Sequence, residues 1–283
     1  METHFLMEKP CHKVTLCCMK GYKRKHQRST MILNTLYVIF FLIEIGSSGV
    51  IFILLLVISA PYGKHYRHGW GTVILSRTAW IFMESPAFFV ILILFIAGKS
   101  YTHAITLIFI LLWQMHYIQR TFIYPFLLTR NKKNFPVIIA AMGFIFNIIN
   151  GYINGYYLFF IYPHYPLSWL IDVRFITGFI IFITGFAINL HSDKILRELK
   201  SEADNSYKIP HRGLYRIISS PNYFGEIIEW IGWALLTWSP PGLVFALFTI
   251  ANLLPRALSH HRWYRKTFPD YPRERKAIIP FLL

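Results

Sequence analysis

Met31–Ser59 reads MILNTLYVIFFLIEIGSSGVIFILLLVIS, and this run decides the class of fold. A helix needs about 20 apolar residues to cross a bilayer, and the run exceeds that length. It is too long for the apolar core of a signal peptide, and no small-residue cleavage site stands out. It therefore reads as a true span. The rest of the chain agrees. Of its 283 residues, 55% are hydrophobic and 18% aromatic, and the mean hydropathy is +0.43. Only 15% are charged, against about 25% in soluble proteins. A soluble core of this size cannot hide so much apolar surface. The same figures exclude a disordered chain, a collagen-like chain and a disulfide-rich secreted scaffold. Cys11, Cys17 and Cys18 all precede the first span, show no CxxC spacing and read as incidental.

Further apolar runs place spans at about 72–97, 102–124, 136–160, 169–198, 221–239 and 241–262, the first being 32–59. Pro61, Pro136, Pro166, Pro221 and the pair Pro240–Pro241 sit at or near span ends, where proline is tolerated. There is no internal repeat and no linker long enough to divide domains. The expected fold is all-α, a polytopic membrane protein with about seven transmembrane helices. A polar, basic extension (1–30) precedes one membrane domain (31–283).

The net charge of +16 comes from 29 Lys and Arg against 13 Asp and Glu. Such a balance often points to nucleic acid, but here the positives fall between apolar runs and no nucleic-acid partner is expected. Lys64, Arg67, Arg130, Lys132, Lys133, Lys194, Arg197, Lys200, Lys208, Arg212, Arg216 and the tail from Arg256 share one face, and after Met31 Lys99 stands alone on the other. The basic face is expected to be cytoplasmic. The positives of residues 1–30 would then lie across the membrane. That suits a poorly constrained extension, a span count wrong by one being the other reading.

Ionisable groups inside spans are expensive and become candidates for function by default. Arg77 and Glu84 stand seven apart on one helical face. They read either as an ion pair that fixes packing or as a carboxyl group facing a ligand. Gln114, Tyr117, Thr121 and Tyr124 form a stripe with Arg120 on its flank. Tyr124 fits an interfacial belt, whereas Tyr117 lies too deep for one. Asn147, Asn150, Gly151, Asn154 and Gly155 read as a close-packing face. Asn189, Asp193, Arg197 and Lys200 run from amide to carboxylate to cations. This order suits a ribose–phosphate ligand, because carboxylates accept sugar hydroxyls and guanidinium groups grip phosphate. Ser220–Pro221 reads as a helix start with a serine cap. That helix carries Asn222, Glu226 and Glu229 on one face, and its two carboxylates need cations or donors opposite. Arg256, His260 and Tyr264 form a further stripe that could supply them. The histidines lack the spacing of a metal box, so no metal is expected. No GxGxxG or P-loop is present, so any nucleotide would be held without a Rossmann domain.

Several long blocks resemble the steroid 5-alpha-reductase family: HYIQRTF (116–122), DVRF (172–175), NLHSDKILREL (189–199), YKIPHRG (207–213), PNYFGEIIEWIGWA (221–234) and RALSHHRWYRKTFPDYPRERKAIIP (256–280). The resemblance covers roughly residues 70–283. It implies a seven-span membrane reductase that uses NADPH to reduce the 4-ene bond of a 3-keto steroid or similar lipophilic enone, by hydride transfer to carbon 5. By resemblance, Tyr117 and Glu84 are the catalytic pair at the substrate carbonyl, and Glu226 lines the same pocket. Asn189, Asp193, Arg197, Lys200, Tyr207, Lys208, Asn222, Arg256, His260 and Tyr264 match cofactor contacts. Lys200 and Lys208 replace expected arginines, which keeps charge but loses a bidentate phosphate grip. Met83 stands where relatives often carry Gln, and the loop 129–135 looks longer than in vertebrate members, so no contact is carried across it. The resemblance fits a multi-pass protein of the endoplasmic reticulum or a bacterial inner membrane, with its cofactor site toward the cytoplasm. The rival readings are enoyl-thioester or polyprenol reductases on the same plan, a methyltransferase using S-adenosylmethionine, and a transporter. The transporter would call for internal repeats that the chain lacks.

Overall fold

The computed structural model describes residues 12–128, 133–201 and 207–283, with side chains from residue 30 onward except at 133, 134, 200 and 201. The basic head, the cysteines, most of the loop 129–135 and the side chain of Lys200 thus lie outside the described side chains. Two compact units divide the chain, residues 1–40 and 41–283. Helix α1 (His12–Val57) crosses that division.

Among the described residues, five helical stretches are long and apolar enough to cross a membrane: Thr30–Val57, Ser76–Ala97, Val137–Ile161, Val173–Leu199 and Pro240–Thr267. They belong to α1, α2 (Ser76–Ala97), α5 (Val137–Tyr156 with a π turn to Ile161), α6 (Val173–Ser201) and α8 (Pro240–Thr267). Helix α3 (Ala104–Ile118) runs through a π turn, Gln119–Ile123, into the short α4 (Tyr124–Leu127). Helix α7 (Pro221–Thr237) has 17 residues and falls short on length, whereas the continuous run from α3 into α4 is long enough but carries Gln114, His116, Gln119 and Arg120, which lower its hydropathy. The helical membrane fold is as expected, whereas five of the seven expected spans meet the length and hydropathy of a crossing helix.

Helix ends moved where local chemistry decides them. Helix α6 starts at Val173 rather than near 169, because Leu167–Ile171 winds as a 3-10 turn. Arg174 therefore joins Lys99 at the less basic end. There it pairs with Asp172 at 2.8 Å and lies over Trp169. That guanidinium holds the Asp172 carboxyl down at about 2. Helix α8 continues to Thr267, past the Arg256–Tyr264 stripe. Ser220 does cap α7 by position, with Pro221 next, but its side chain makes no capping bond. One small sheet was not expected: β1 (Val73–Leu75) pairs antiparallel with β2 (Lys133–Pro136), Ile74 facing Phe135. It ties together the starts of α2 and α5, which pack along their length.

Aromatic side chains fill the centre. Trp113 of α3 packs on Trp230 and Trp233 of α7 at 5.4 and 5.2 Å, and Phe245 of α8 closes on Trp230 at 4.3 Å. Buried indole N–H groups need acceptors. Trp113 donates to the Ala87 carbonyl and Trp233 to Asn154 Oδ1.

Helices α6 and α7 come closest, through glycines seven apart on each: Gly178 and Gly185 against Gly232 and Gly225. A Cβ at Gly185 would lie 2.3 Å from the Glu229 backbone nitrogen, and one at Gly232 2.4 Å from that of Phe182. Small residues let membrane helices touch backbone to backbone, and this contact sets the polar residues of α6 against those of α7. Gly185→Ala is expected to cost about 1–3 kcal/mol, because backbone cannot step aside as a side chain can. Thermal unfolding in detergent checks this, with Gly46→Ala, which meets open space, as the control. Equal melting temperatures for the two variants would contradict such close packing.

Candidate functional site

The polar residues singled out in the sequence gather where α3, α6, α8 end and α2, α7 begin. Helix periodicity explains which side chains share a face. The floor of the site is Tyr117, 2% exposed, whose ring lies 5.0 Å from Trp113 and 6.0 Å from Trp230. Among the described residues no hydrogen bond ties down its hydroxyl. Four carboxylates are within electrostatic reach of it, with Glu84 acting most strongly, ahead of Glu226, Glu229 and Glu44. Glu84, half-buried on α2 two residues before the helix-interior Pro86, accepts a hydrogen bond from Asn147 Nδ2 at 3.3 Å. The same amide reaches the Met83 carbonyl at 2.7 Å. Asn147 was expected to be purely a packing residue; it also orients Glu84. Gly151 and Gly155 on the same stripe do pack against α2. Arg77 turns to the Pro125 carbonyl at 3.2 Å.

Beside Tyr117 lies a buried ionic cluster. Arg120 reaches Asp193 at 3.3 Å and Glu226 at 3.1 Å, with its guanidinium over the rings of Trp80 and Tyr124. Asn189 donates to the Asn222 carbonyl at 2.9 Å and to Glu226 at 3.4 Å, and Asn222 donates to Asp193 Oδ1 at 3.2 Å. Glu229, fully buried, pairs through Oε1 with His116 Nδ1 at 2.8 Å. The carboxylates of α7 are thus met by His116 and Arg120, not by Arg256, His260 and Tyr264 as the sequence suggested. The reason is local. Arg120 sits in the π turn of the α3 run, a wider coil often found at functional sites, and His116 is one turn before it. Arg120 had a readable signal as a cation in an apolar helix, but spacing alone did not say which neighbour it faces.

The α8 stripe builds a second layer. Arg256 donates to the phenols of Tyr62 and, at 3.0 Å, Tyr223. Its charge is met by phenols rather than by a carboxylate. His260 stacks between His65 and Tyr223, each at 5.2 Å. Burial, with the cations Lys64, Arg256 and Arg67 nearby, pushes His65 down to about 4, so it is neutral at pH 7. Tyr264 stacks on Tyr271 at 5.3 Å, with Lys64 over its ring at 4.2 Å. Tyr62, Lys64 and His65, from the loop after α1, were not anticipated in the site. Their aromatic and basic character near Pro61 was the available signal.

Buried polar atoms without partners among the described residues include Arg197 Nη1, Ser220 Oγ and Glu229 Oε2. Of the remaining expected contacts, Tyr207 and Lys208 lie exposed at the edge, Tyr207 against Trp263 at 5.2 Å. Lys200 lies in α6, its side chain outside those described. The assembly offers a neutral hydroxyl on an aromatic floor, a carboxyl beside it, and a cationic, hydroxyl-accepting wall.

A family model described as 3-oxo-5-alpha-steroid 4-dehydrogenase matches residues 133–283. Steroid 5-alpha-reductase DET2 of Solanum lycopersicum is 45% identical over 250 residues, covering 87% of this chain and 96% of its own length. The protein of that name from Gossypium hirsutum is 44% identical over 234 residues, 81% and 91% of the two chains. The 3-oxo-5-alpha-steroid 4-dehydrogenase 2 of Homo sapiens is 43% identical over 239 residues, also 81% and 91%.

Proposed function

The chain belongs to the steroid 5-alpha-reductase (3-oxo-5-alpha-steroid 4-dehydrogenase) family, and from that premise we propose that it reduces the 4-ene bond of a 3-keto steroid with NADPH. It is an oxidoreductase acting on a CH–CH bond. The observation that carries the finer reading is the Tyr117 hydroxyl, sunk on an aromatic floor with no hydrogen-bond partner among the described residues and within electrostatic reach of the Glu84 carboxyl. An enone accepts hydride poorly until its oxygen is polarised. Tyr117 donates a hydrogen bond to the 3-keto oxygen and stabilises the enolate as charge develops there. Glu84, held by Asn147, orients that donor and shares the bond. Trp113 and Trp230 hold the flat ring system and exclude water.

The residues of the wall fit the cofactor. Among the described residues Arg197 has a buried, unpartnered Nη1 and Arg256 makes no carboxylate ion pair, which leaves both cations for a phosphate. Asp193 accepts sugar hydroxyls, with Asn189 and Asn222 beside it, while His260 and Tyr264 extend the wall outward. When bound, NADPH would supply the hydride for carbon 5, and the resulting enolate would then take up a proton at carbon 4 to give the saturated ketone. In this reading the basic end, where these groups lie, faces the cytoplasm.

Detergent-purified protein with NADPH and a panel of 3-keto-4-ene steroids, enoyl thioesters and polyprenals tests the proposal, with products identified by mass spectrometry. Saturation of the 4-ene bond is expected; turnover of only the thioesters or polyprenals would move the assignment to those relatives. Arg256→Ala is expected to raise the KM for NADPH by roughly tenfold or more, the loss of one charge-assisted contact, and to change kcat little. An unchanged KM would remove Arg256 from the cofactor wall.

A further inference from the structure

From Thr30 to Val57 the side chains of α1 are mostly exposed or half-buried. Between Thr30 and Val57 a single residue is fully buried, and it is an acid: Glu44, 1% exposed. Both of its carboxyl oxygens are buried without a hydrogen-bond partner among the described residues. An apolar side chain at this point would cost nothing, whereas a buried carboxyl without partners is destabilising whichever way its proton is placed. The feature calls for a ligand group. Three observations say where that group comes from. Glu44 is one of the carboxylates within electrostatic reach of Tyr117. The next turn of the same face holds Ser47 and Ser48. Their hydroxyls are turned back onto the Glu44 carbonyl at 3.0 and 2.8 Å and so do not satisfy the acid. The mechanism above makes no use of Glu44.

We propose that Glu44 is a substrate-binding residue that takes a hydroxyl group of the steroid, and so gives this enzyme a preference for 3-keto-4-ene steroids carrying a second, polar oxygen. The inference rests on the reductase reading of the Tyr117 site. A hydroxyl both donates and accepts, so it satisfies a carboxyl group in either protonation state. A site built to hydrogen-bond a hydroxyl discriminates against the analogue that lacks it, because its buried polar group is then left unpaired.

The test uses the full chain in detergent with NADPH, a 3-keto-4-ene steroid bearing no other oxygen, and matched steroids each carrying one hydroxyl at a different ring position. The wild type should favour one hydroxylated member over the bare parent by roughly tenfold in kcat/KM. Glu44→Leu should abolish that preference through KM and leave the bare parent within about twofold. Glu44→Gln, which keeps a donor and an acceptor, should retain part of it. If the leucine variant does not purify, the glutamine variant decides: a cut in preference of about threefold is expected. An unchanged ratio in either variant overturns the proposal, as does equal loss on bare and hydroxylated steroids. A wild type that reduces no enone overturns both this inference and the reductase reading, whereas equal loss in the variants leaves the reductase reading standing.

Discussion

Tyr117→Phe should lower kcat by about a hundredfold to a thousandfold, the usual loss when one donor to a developing oxyanion is removed, with the Kd for NADPH almost unchanged. The substitution deletes one oxygen and keeps the ring that packs on Trp113 and Trp230. No hydrogen bond of the folded protein is lost, because among the described residues none is made by that hydroxyl. Stability should therefore hold, and the effect should appear in the chemical step. Single-turnover reduction under saturating NADPH separates that step from binding, and cofactor fluorescence reports the Kd. Purified Tyr117→Phe with near wild-type turnover would remove it as the donor and leave Glu84 to polarise the ketone. Glu84→Gln offers the complementary reading. It keeps the Asn147 contact through its amide oxygen, so a large fall in its turnover assigns the carboxyl a chemical part rather than a packing one.

Much of this site was legible because a membrane protein makes polar residues conspicuous. Asn189, Asp193 and Arg197 on one helix, and Asn222 and Glu226 on the next, stand out against apolar neighbours, and a period of 3.6 puts each set on one face. Periodicity does not say which face meets which. The sequence led to Arg256 and His260 as partners for the acids of α7, but those side chains meet Tyr62, Tyr223 and His65 instead. The π turn after Ile118 and the β1–β2 ribbon are tertiary outcomes with no strong local signature. The glycine contact between α6 and α7 was readable in principle. Gly178, Gly185, Gly225 and Gly232 repeat at seven in two neighbouring apolar runs, a stronger sign of backbone contact than the amide-rich face of α5. Glu44 was equally visible as an acid in an apolar run, but only the fold shows that it is buried.

Arg120→Met should be the most damaging single change in the site, costing about 3–5 kcal/mol in stability, the range for removing one partner of a buried ion pair. Arg120 is 8% exposed and serves two acids, Asp193 and Glu226, from α6 and α7. Those acids are held near each other by the α6–α7 glycine contact, which does not relax when the cation goes. Methionine keeps much of the apolar stem over Trp80 and Tyr124 but leaves two carboxylates facing each other in a dry setting. The combination of Arg120→Met with Asp193→Asn and Glu226→Gln removes the charges together and should recover most of the lost melting temperature, since breaking a buried pair costs more than replacing it. Catalysis should not recover, because Asp193 is assigned to the cofactor sugar in the proposed mechanism. Thermal unfolding and NADPH titration on the same two samples decide between these expectations. If the single variant melts with the wild type, the ionic cluster is not buried as described. If the triple variant melts no higher than the single one, Arg120 acts through packing on its aromatic neighbours rather than through charge.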